Sequence, residues 1–342
     1  MTGNIADSSI SNKNKDATPV GVDVDVPVPT NMDTTNASTS TSTSTSLNKF
    51  NWVNLIAYIV NVFVTFGIGL FGITGQPSNS ELSAKYQTIV TPFGLSFSIW
   101  GVVFIWQAIW IVWQFLPSQR NSEGVLKAWY YYPIMTVFQA GWTISFSYEI
   151  MWLALICMYC ILITLVCASM SLQRYSKNWK GYLLWQGPFS IQTGWILAAA
   201  AVHTNVCAVS YNANATTQLI VASLSLVVLL TTAFTWLCSY PVDFAIPIVI
   251  VWALIGVWLG LGGQPKQTNL DEFTTRQIIG VEYGVLAGFC LVSFGIIVKV
   301  LYVLLEQRPE ALKNKNTQEE EDQEQEQRGT SGLELVSESE SC

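Results

Sequence analysis

The chain has 342 residues, of which 51% are hydrophobic and only 11% are charged, whereas a soluble globular domain usually carries about 25% charged residues. This composition, with 14 tryptophans, excludes an ordinary soluble domain and predicts an all-α, polytopic membrane helix bundle. The net charge of −7 arises in acidic tails around a net-positive body, so it carries no information about a nucleic-acid or acidic partner of the body. We expect the bilayer and no nucleic acid as partners.

The two ends of the chain differ in composition from its body. Residues 1–48 are rich in Ser, Thr, Asn and Asp and hold too few apolar residues to form a core, which predicts a disordered N-terminal tail. Residues 309–342 include the run KNKNTQEEEDQEQEQ, which is typical of a solvated, disordered acidic tail. Any folded structure is therefore expected between these tails.

Apolar runs of about 20 residues mark the membrane spans. A polar break around Glu149 predicts a turn that divides residues 128–172, because one span cannot be that long. We predict eight spans, near residues 51–74, 91–116, 128–147, 149–172, 182–209, 217–239, 243–262 and 280–305.

The distribution of basic residues orients these spans. An even number of spans puts both termini on one side, and that side carries nine Lys and Arg against three on the other. The positive-inside rule therefore predicts that both termini are cytosolic. The sequon at Asn214 falls in a loop on the opposite side, which makes Asn214 a glycosylation candidate.

The predicted spans lack the residues that most membrane enzymes and ion transporters need. Charged side chains inside spans usually mark function, and the spans show no acid–base series, arginine row or paired nucleophile and base. We expect no enzymatic activity, no metal site and no obligate cofactor. The only histidine, His203, lies in ILAAAAVHTNV, and it could satisfy a neighbouring helix, contact a ligand or ligate a metal.

The tryptophans of the spans have two explanations. Those near span ends are typical of interfacial anchors. Trp100, Trp142, Trp152 and Trp195 lie closer to polar breaks, glycines or prolines. They either pack helices together or form a stacking surface for a planar apolar ligand.

The order of these motifs resembles the TspO/MBR family, the tryptophan-rich sensory and translocator proteins. Pro92 and Trp100 match the proline and tryptophan of the family's second helix, although Ser98 replaces a further proline there. Trp142 matches the tryptophan of the third helix, and Gln139 stands where the family has asparagine.

The fifth helix and the first helix extend this resemblance. Pro188 and Trp195 precede four alanines, and His203 stands at the position of a family asparagine. The run FGIGLFGITG is similar to the glycine-bearing end of the family's first helix. The resemblance implies a five-helix core over residues 49–210, followed by about three additional helices over residues 211–308 that resemble those of longer relatives.

The resemblance also implies a ligand site beneath the first loop, residues 75–90. Family members bind porphyrins and sterol-like molecules there, so a porphyrin or haem would be a ligand rather than a resident cofactor. We expect the pocket residues to be Trp100, Gln139, Trp142, Trp195 and His203, with stacking by the tryptophans and hydrogen bonds from the other two. The alternative is a facilitator that moves a neutral solute across the membrane, and a homodimer is an option in either case.

Overall fold

The structure is a computed structural model that describes residues 47–173, 179–262 and 267–306. Apart from Leu47 and Asn48, the two predicted tails lie outside the described residues. All regular elements within the described ranges are helices, which confirms the all-α membrane bundle. Seven of them are long and apolar enough to cross a membrane: α1 (Lys49–Leu70), α3 (Gly94–Trp113), α6 (Met151–Gln173), α7 (Trp179–Ser210), α8 (Ala215–Leu237), α9 (Ala245–Gly262) and α11 (Thr275–Glu306).

The third predicted span is not among these seven, and its residues form a shorter helix, α5 (Tyr131–Ser147), of 17 residues. That length is near the lower limit of about 17 residues for a transmembrane helix. The predicted turn between the third and fourth spans is confirmed: Glu149 has a left-handed backbone with φ of 58°. This turn lets α5 and α6 pack side by side.

Three short helices lie between the spans: α2 (Asn79–Lys85), α4 (Glu123–Ala128) and α10 (Gln267–Glu272). Helix α2 begins with a capping box, in which the Glu81 backbone N–H donates to Ser78 Oγ (3.3 Å) and the Ser78 backbone N–H donates to the Glu81 carboxylate (2.7 Å). These bonds satisfy amide groups at the start of α2, which holds the first loop in a defined shape.

Helix α7 lies at the centre of the bundle. Of its most apolar stretch 61% is buried, against 11% for α11, which lies at the edge. One face of α7 joins a buried cluster with α3, α8 and α9, and another face joins a cluster with α1, α3, α5 and α6. The division that we predict at residue 210 stays a prediction, but helices on both sides of it pack against α7.

Neutral amide side chains tie the first helices together. Asn54 Nδ2 donates to Gln114 Oε1 at 3.0 Å, and Gln107 Nε2 donates to Gln192 Oε1 at 2.6 Å. In a membrane, where no water competes for these groups, such bonds join neighbouring helices. They fix α1, α3 and α7 around the site described next.

Candidate functional site

A cavity of about 680 Å³ lies inside the bundle, within the size range typical of small-molecule sites. Its walls come from α1, α2, α3, α5, α7, α8 and α9, with single contributions from α6 and α11. Most lining side chains are apolar or aromatic, and none of those in the described residues carries a formal charge. The cavity therefore suits an apolar ligand better than an ion.

Four of the five predicted pocket residues line this cavity: Trp100, Trp142, Trp195 and His203. The rings of Trp100 and Trp195 meet edge to face, with centroids 6.4 Å apart and planes at 84°. This arrangement leaves the face of one indole next to the edge of the other, which is a favourable geometry for aromatic pairs.

Gln139 lies behind the cavity wall instead of in it. Its Nε2 donates to Thr65 Oγ1 at 3.2 Å, and its Oε1 accepts from Gln192 Nε2 at 2.9 Å. Both ends of the amide are thus used within the protein. Thr65 does line the cavity, so Gln139 acts on the site through the side chain that it positions.

His203 is the most polar group that faces the aromatic part of the cavity. Its side chain is 4% exposed, and its ring lies 5.2 Å from that of Phe146 and 6.3 Å from that of Trp142. Its Nε2 is buried without a hydrogen-bond partner among the described residues.

Further polar atoms at the cavity are buried without a partner. They are Trp142 Nε1, Trp195 Nε1 and Asn79 Oδ1, in addition to His203 Nε2. Nearly all buried polar groups in proteins are hydrogen-bonded, so each exception requires an explanation. Four such atoms belong to residues that line one apolar cavity.

The final stretch of α1 forms one wall of the cavity and is a π-helix over Phe63–Leu70. Such segments occur frequently at functional sites, because the wider turn redirects side chains. Thr65, Phe66 and Gly69 line the cavity from this segment. Gly69 allows α2 to approach, since a Cβ there would lie 2.7 Å from Asn79 Nδ2.

Helix α2 covers the cavity, and hydrogen bonds at its C-terminal end join it to the turn between α5 and α6. Asn79, Ser80 and Ser83 of α2 line the cavity. Beyond them the Glu149 carboxylate accepts hydrogen bonds from Lys85 Nζ and from the Tyr86 hydroxyl. The bond from Lys85 and then that from Tyr86 lower the pKa of Glu149 below its ordinary value.

The hydrogen bonds from Lys85 and Tyr86 to Glu149 should depend on pH. The pKa of Glu149 is lowered in the folded protein, so its contribution to stability is complete above its ordinary pKa. This contribution is lost as the pH falls through the lowered value. We expect amide hydrogens of residues 79–85 to exchange about twofold faster in Glu149→Gln than in the wild type at pH 7, since exposed ion pairs contribute little. The ratio of the exchange rate in Glu149→Gln to that in the wild type should approach one at acidic pH. The same ratio at every pH, or an equal effect of Glu123→Gln in α4, would contradict this role.

Helix α9 supports the opposite wall, which the sequence analysis did not predict. Trp252 Nε1 donates to the Ser96 carbonyl at 3.0 Å, and the Phe93 backbone N–H donates to the Gly256 carbonyl at 2.8 Å. A Cβ at Gly256 would lie 2.0 Å from Ser96 Oγ and 2.9 Å from Ser96 Cβ. The glycine spacing in ALIGVWLG was the only signal in the sequence for this close approach.

A methyl group at Gly256 should therefore destabilise the protein. We expect Gly256→Ala to cost about 1–3 kcal/mol, as overpacking does in other cores, and thermal unfolding in detergent would measure the loss. Ser96→Gly in the same chain should restore most of it, because both clashing atoms are removed. Gly280→Ala is the matched control, since nothing lies within 4 Å of its added Cβ. Equal effects at Gly256 and Gly280 would contradict the close approach.

A buried carboxylate was also missed by the sequence analysis. Asp243 is 0% exposed and accepts hydrogen bonds from the Tyr182 hydroxyl (2.8 Å), Gln186 Nε2 (2.8 Å), the Ser190 hydroxyl and the Ala245 backbone N–H (3.0 Å). It joins the start of α7 to the start of α9. The signal was an aspartate two residues before a helix, a position at which its side chain accepts from the backbone two residues on, as in an Asx turn.

Asn214, the glycosylation candidate, lies at the start of α8. Its side chain is exposed and accepts a hydrogen bond from the Thr217 backbone N–H at 2.9 Å. Its modification stays a prediction. A metal site also finds no support among the described residues, where His, Cys, Asp and Glu do not cluster in groups of three.

The comparison with known families agrees with the architecture. The family described as TSPO-like protein matches residues 51–296, a range that reaches from the first turn of α1 into α11 and extends well beyond residue 210. No curated protein and no solved structure is similar enough to match the chain. Because the family match covers more than half of its length, the chain belongs to the TSPO-like protein family.

Proposed function

We propose that this membrane protein binds, and carries, a planar hydrophobic ligand of the tetrapyrrole or sterol-like class in the cavity between its helices. One observation carries the proposal: four residues that line an otherwise apolar cavity of about 680 Å³ carry buried polar atoms without a partner. A flat apolar molecule with a polar edge would fill the volume and complete these bonds.

The aromatic lining supports a flat shape in particular. The ring of Trp100 stacks on that of Phe104, with centroids 5.8 Å apart and planes at 29°, and the ring of Trp142 stacks on that of Phe146, with centroids 5.6 Å apart and planes at 12°. A neighbouring ring thus holds each tryptophan in one orientation, and Phe146 lines the cavity beside Trp142. Rigid aromatic surfaces of this kind favour stacking with a planar ligand, because little side-chain freedom is lost on binding.

Binding to detergent-purified protein tests this proposal. Two fluorescent probes represent the ligand classes: dehydroergosterol, a sterol with one hydroxyl group, and octaethylporphyrin, a tetrapyrrole without carboxylates. We expect saturable binding of at least one probe with a stoichiometry of one per chain. Partitioning of both probes that does not saturate, equal to that in empty detergent micelles, would contradict the proposal and favour a facilitator of a neutral solute.

A further inference from the structure

A row of neutral polar side chains runs along one buried face of α1. Its members are spaced three and four residues apart, which places them on the same side of the helix: Asn51, Asn54, Tyr58, Asn61 and Thr65. The three asparagines are 0% exposed. At 1.5 Å per residue the row extends about 21 Å, roughly two thirds of the thickness of a bilayer's hydrocarbon core. Polar groups buried over such a length of a membrane helix are costly, which points to a function.

Amide side chains from neighbouring helices continue this row. At one end Asn54 Nδ2 donates to Oε1 of Gln114, the residue after α3, at 3.0 Å. At the other end Thr65 Oγ1 donates to Asn61 Oδ1 at 3.3 Å and accepts from Gln139 Nε2 at 3.2 Å. The row of α1 and the residues packed along it are named the polar seam, which consists of Asn51, Asn54, Tyr58, Asn61, Thr65, Gln107, Trp110, Gln114, Gln139 and Gln192.

The hydrogen bonds of the polar seam are interrupted in its middle. Asn54 and Asn61 are seven residues apart, about 10 Å along α1. Between them, Ala57 has no polar side-chain atom, and the Tyr58 hydroxyl donates to the Phe104 carbonyl at 3.1 Å. Within the described part of the chain, the side chains thus form two hydrogen-bonded groups that are not joined to each other.

Buried polar atoms without partners lie at this interruption. Asn54 Oδ1, Gln114 Nε2 and Trp110 Nε1 have no hydrogen-bond partner among the described residues. The side chains are 0%, 0% and 1% exposed, respectively. Trp110 lies between Gln107 and Gln114 on one face of α3, at spacings of three and four residues. Buried polar groups that no protein group reaches are usually satisfied by ordered water.

We propose that the polar seam holds a track of ordered water molecules, which joins the cavity to the N-terminal end of α1. Water fits because it both donates and accepts: Asn54 Oδ1 requires a donor, whereas the N–H groups of Gln114 and Trp110 require acceptors. An ion does not fit, since every residue of the polar seam is neutral. Thr65 belongs both to the seam and to the cavity wall, so the track is continuous with the cavity.

The track gives water a route out of the cavity that does not pass α2. When an apolar molecule enters the cavity, the water that it displaces leaves along the seam. The inference does not depend on the identity of that molecule. Failure of both fluorescent probes to saturate would therefore overturn the proposed function and leave the track in place.

X-ray radiolysis of the detergent-purified protein in isotope-labelled water tests the track, because radicals formed from bound water oxidise the side chains beside it. The reporters are Trp110 and Met135, whose Sδ accepts from Gln192 Nε2 at 3.4 Å. Trp236 and Met151 are matched controls, since both are buried and neither lines the cavity. We expect each reporter to be oxidised about threefold or more faster than its control, although it is the less exposed of the two.

A double variant removes the polar atoms at the interruption. In Asn54→Leu/Gln114→Leu, the oxidation rate of Trp110 should fall to that of Trp236. Asn205→Leu is the matched control, because Asn205 is also buried but bonds to Ser225 Oγ outside the seam, and it should leave the rate unchanged.

The wild-type comparison decides the inference even if the double variant does not fold. Equal oxidation rates for Trp110 and Trp236 would overturn it and indicate that the amides of the seam only hold the helices together. Rapid oxidation of Met135 alone would also overturn it, since water would then reach only the part of the seam next to the cavity.

Discussion

Replacement of both Trp100 and Trp142 by leucine should weaken the binding of dehydroergosterol about 30-fold, which corresponds to about 2 kcal/mol. The two indoles lie on different helices, α3 and α5, and both line the cavity. Leucine keeps these positions apolar but removes the flat surfaces, and at position 142 it also removes an unpartnered N–H. The affinity should be measured through the fluorescence of the probe, since the variant has fewer tryptophans to quench.

A double variant with two exposed tryptophans controls for general effects of the substitution. Trp152 is 56% exposed and Trp179 is 69% exposed, and neither lines the cavity. Trp152→Leu/Trp179→Leu should bind the probe as the wild type does. Equal losses of affinity in the two double variants would show that the cavity tryptophans have no special role in binding.

Replacement of Asp243 by alanine should lower the thermal stability of the detergent-solubilised protein by about 3 kcal/mol or more, because two buried and two partly buried donors lose their acceptor. Three of them belong to side chains of α7, and the fourth is the Ala245 N–H at the start of α9. For a chain of this size, the midpoint of thermal unfolding should fall by about 5 °C.

Glu123→Gln serves as the matched control for Asp243, because Glu123 is exposed in the short helix α4. Its loss should shift the midpoint by about 2 °C or less. Asp243→Asn should lie between the control and Asp243→Ala, since the amide keeps one acceptor oxygen. A midpoint for Asp243→Ala within 2 °C of the wild type would contradict a structural role for this carboxylate.

The membrane architecture could be predicted because its physical signals are local. Long apolar runs give the spans, and the polar residues around Glu149 mark the turn between α5 and α6. The family resemblance, based on the spacing of Pro92, Trp100, Trp142 and Trp195, is confirmed by the family match. Such patterns depend only on the neighbouring residues along the chain.

The roles of individual tryptophans could not be predicted with the same success. Trp142 and Trp152 have similar surroundings in the sequence, yet Trp142 lines the cavity and Trp152 is mostly exposed. Trp110 is 1% exposed and packs against Tyr132 and Phe189, so it is a packing residue. Helical periodicity shows which residues share a face, but it does not show which partner that face meets.

Contacts between segments that are distant in the sequence explain why the roles of Gln139, Trp252 and Gly256 could not be predicted. Gln139 resembles a ligand-binding amide in the sequence, but Gln192, 53 residues away, occupies its oxygen. The support of the cavity by Trp252 and Gly256 depends on contact between α9 and the start of α3, where Trp252 bonds to Ser96, 156 residues away. Long-range partners of this kind leave no pattern in a single sequence.

The most direct test of the central claim is photo-crosslinking of the membrane-embedded wild-type protein with a sterol that carries a diazirine group on its ring system. We expect labelling that excess unlabelled dehydroergosterol prevents, and the labelled sites should lie on cavity-lining residues within 142–146 and 195–206. Labelling only at lipid-facing positions such as Ile163 or Leu301, without competition, would show that the cavity is not the ligand site.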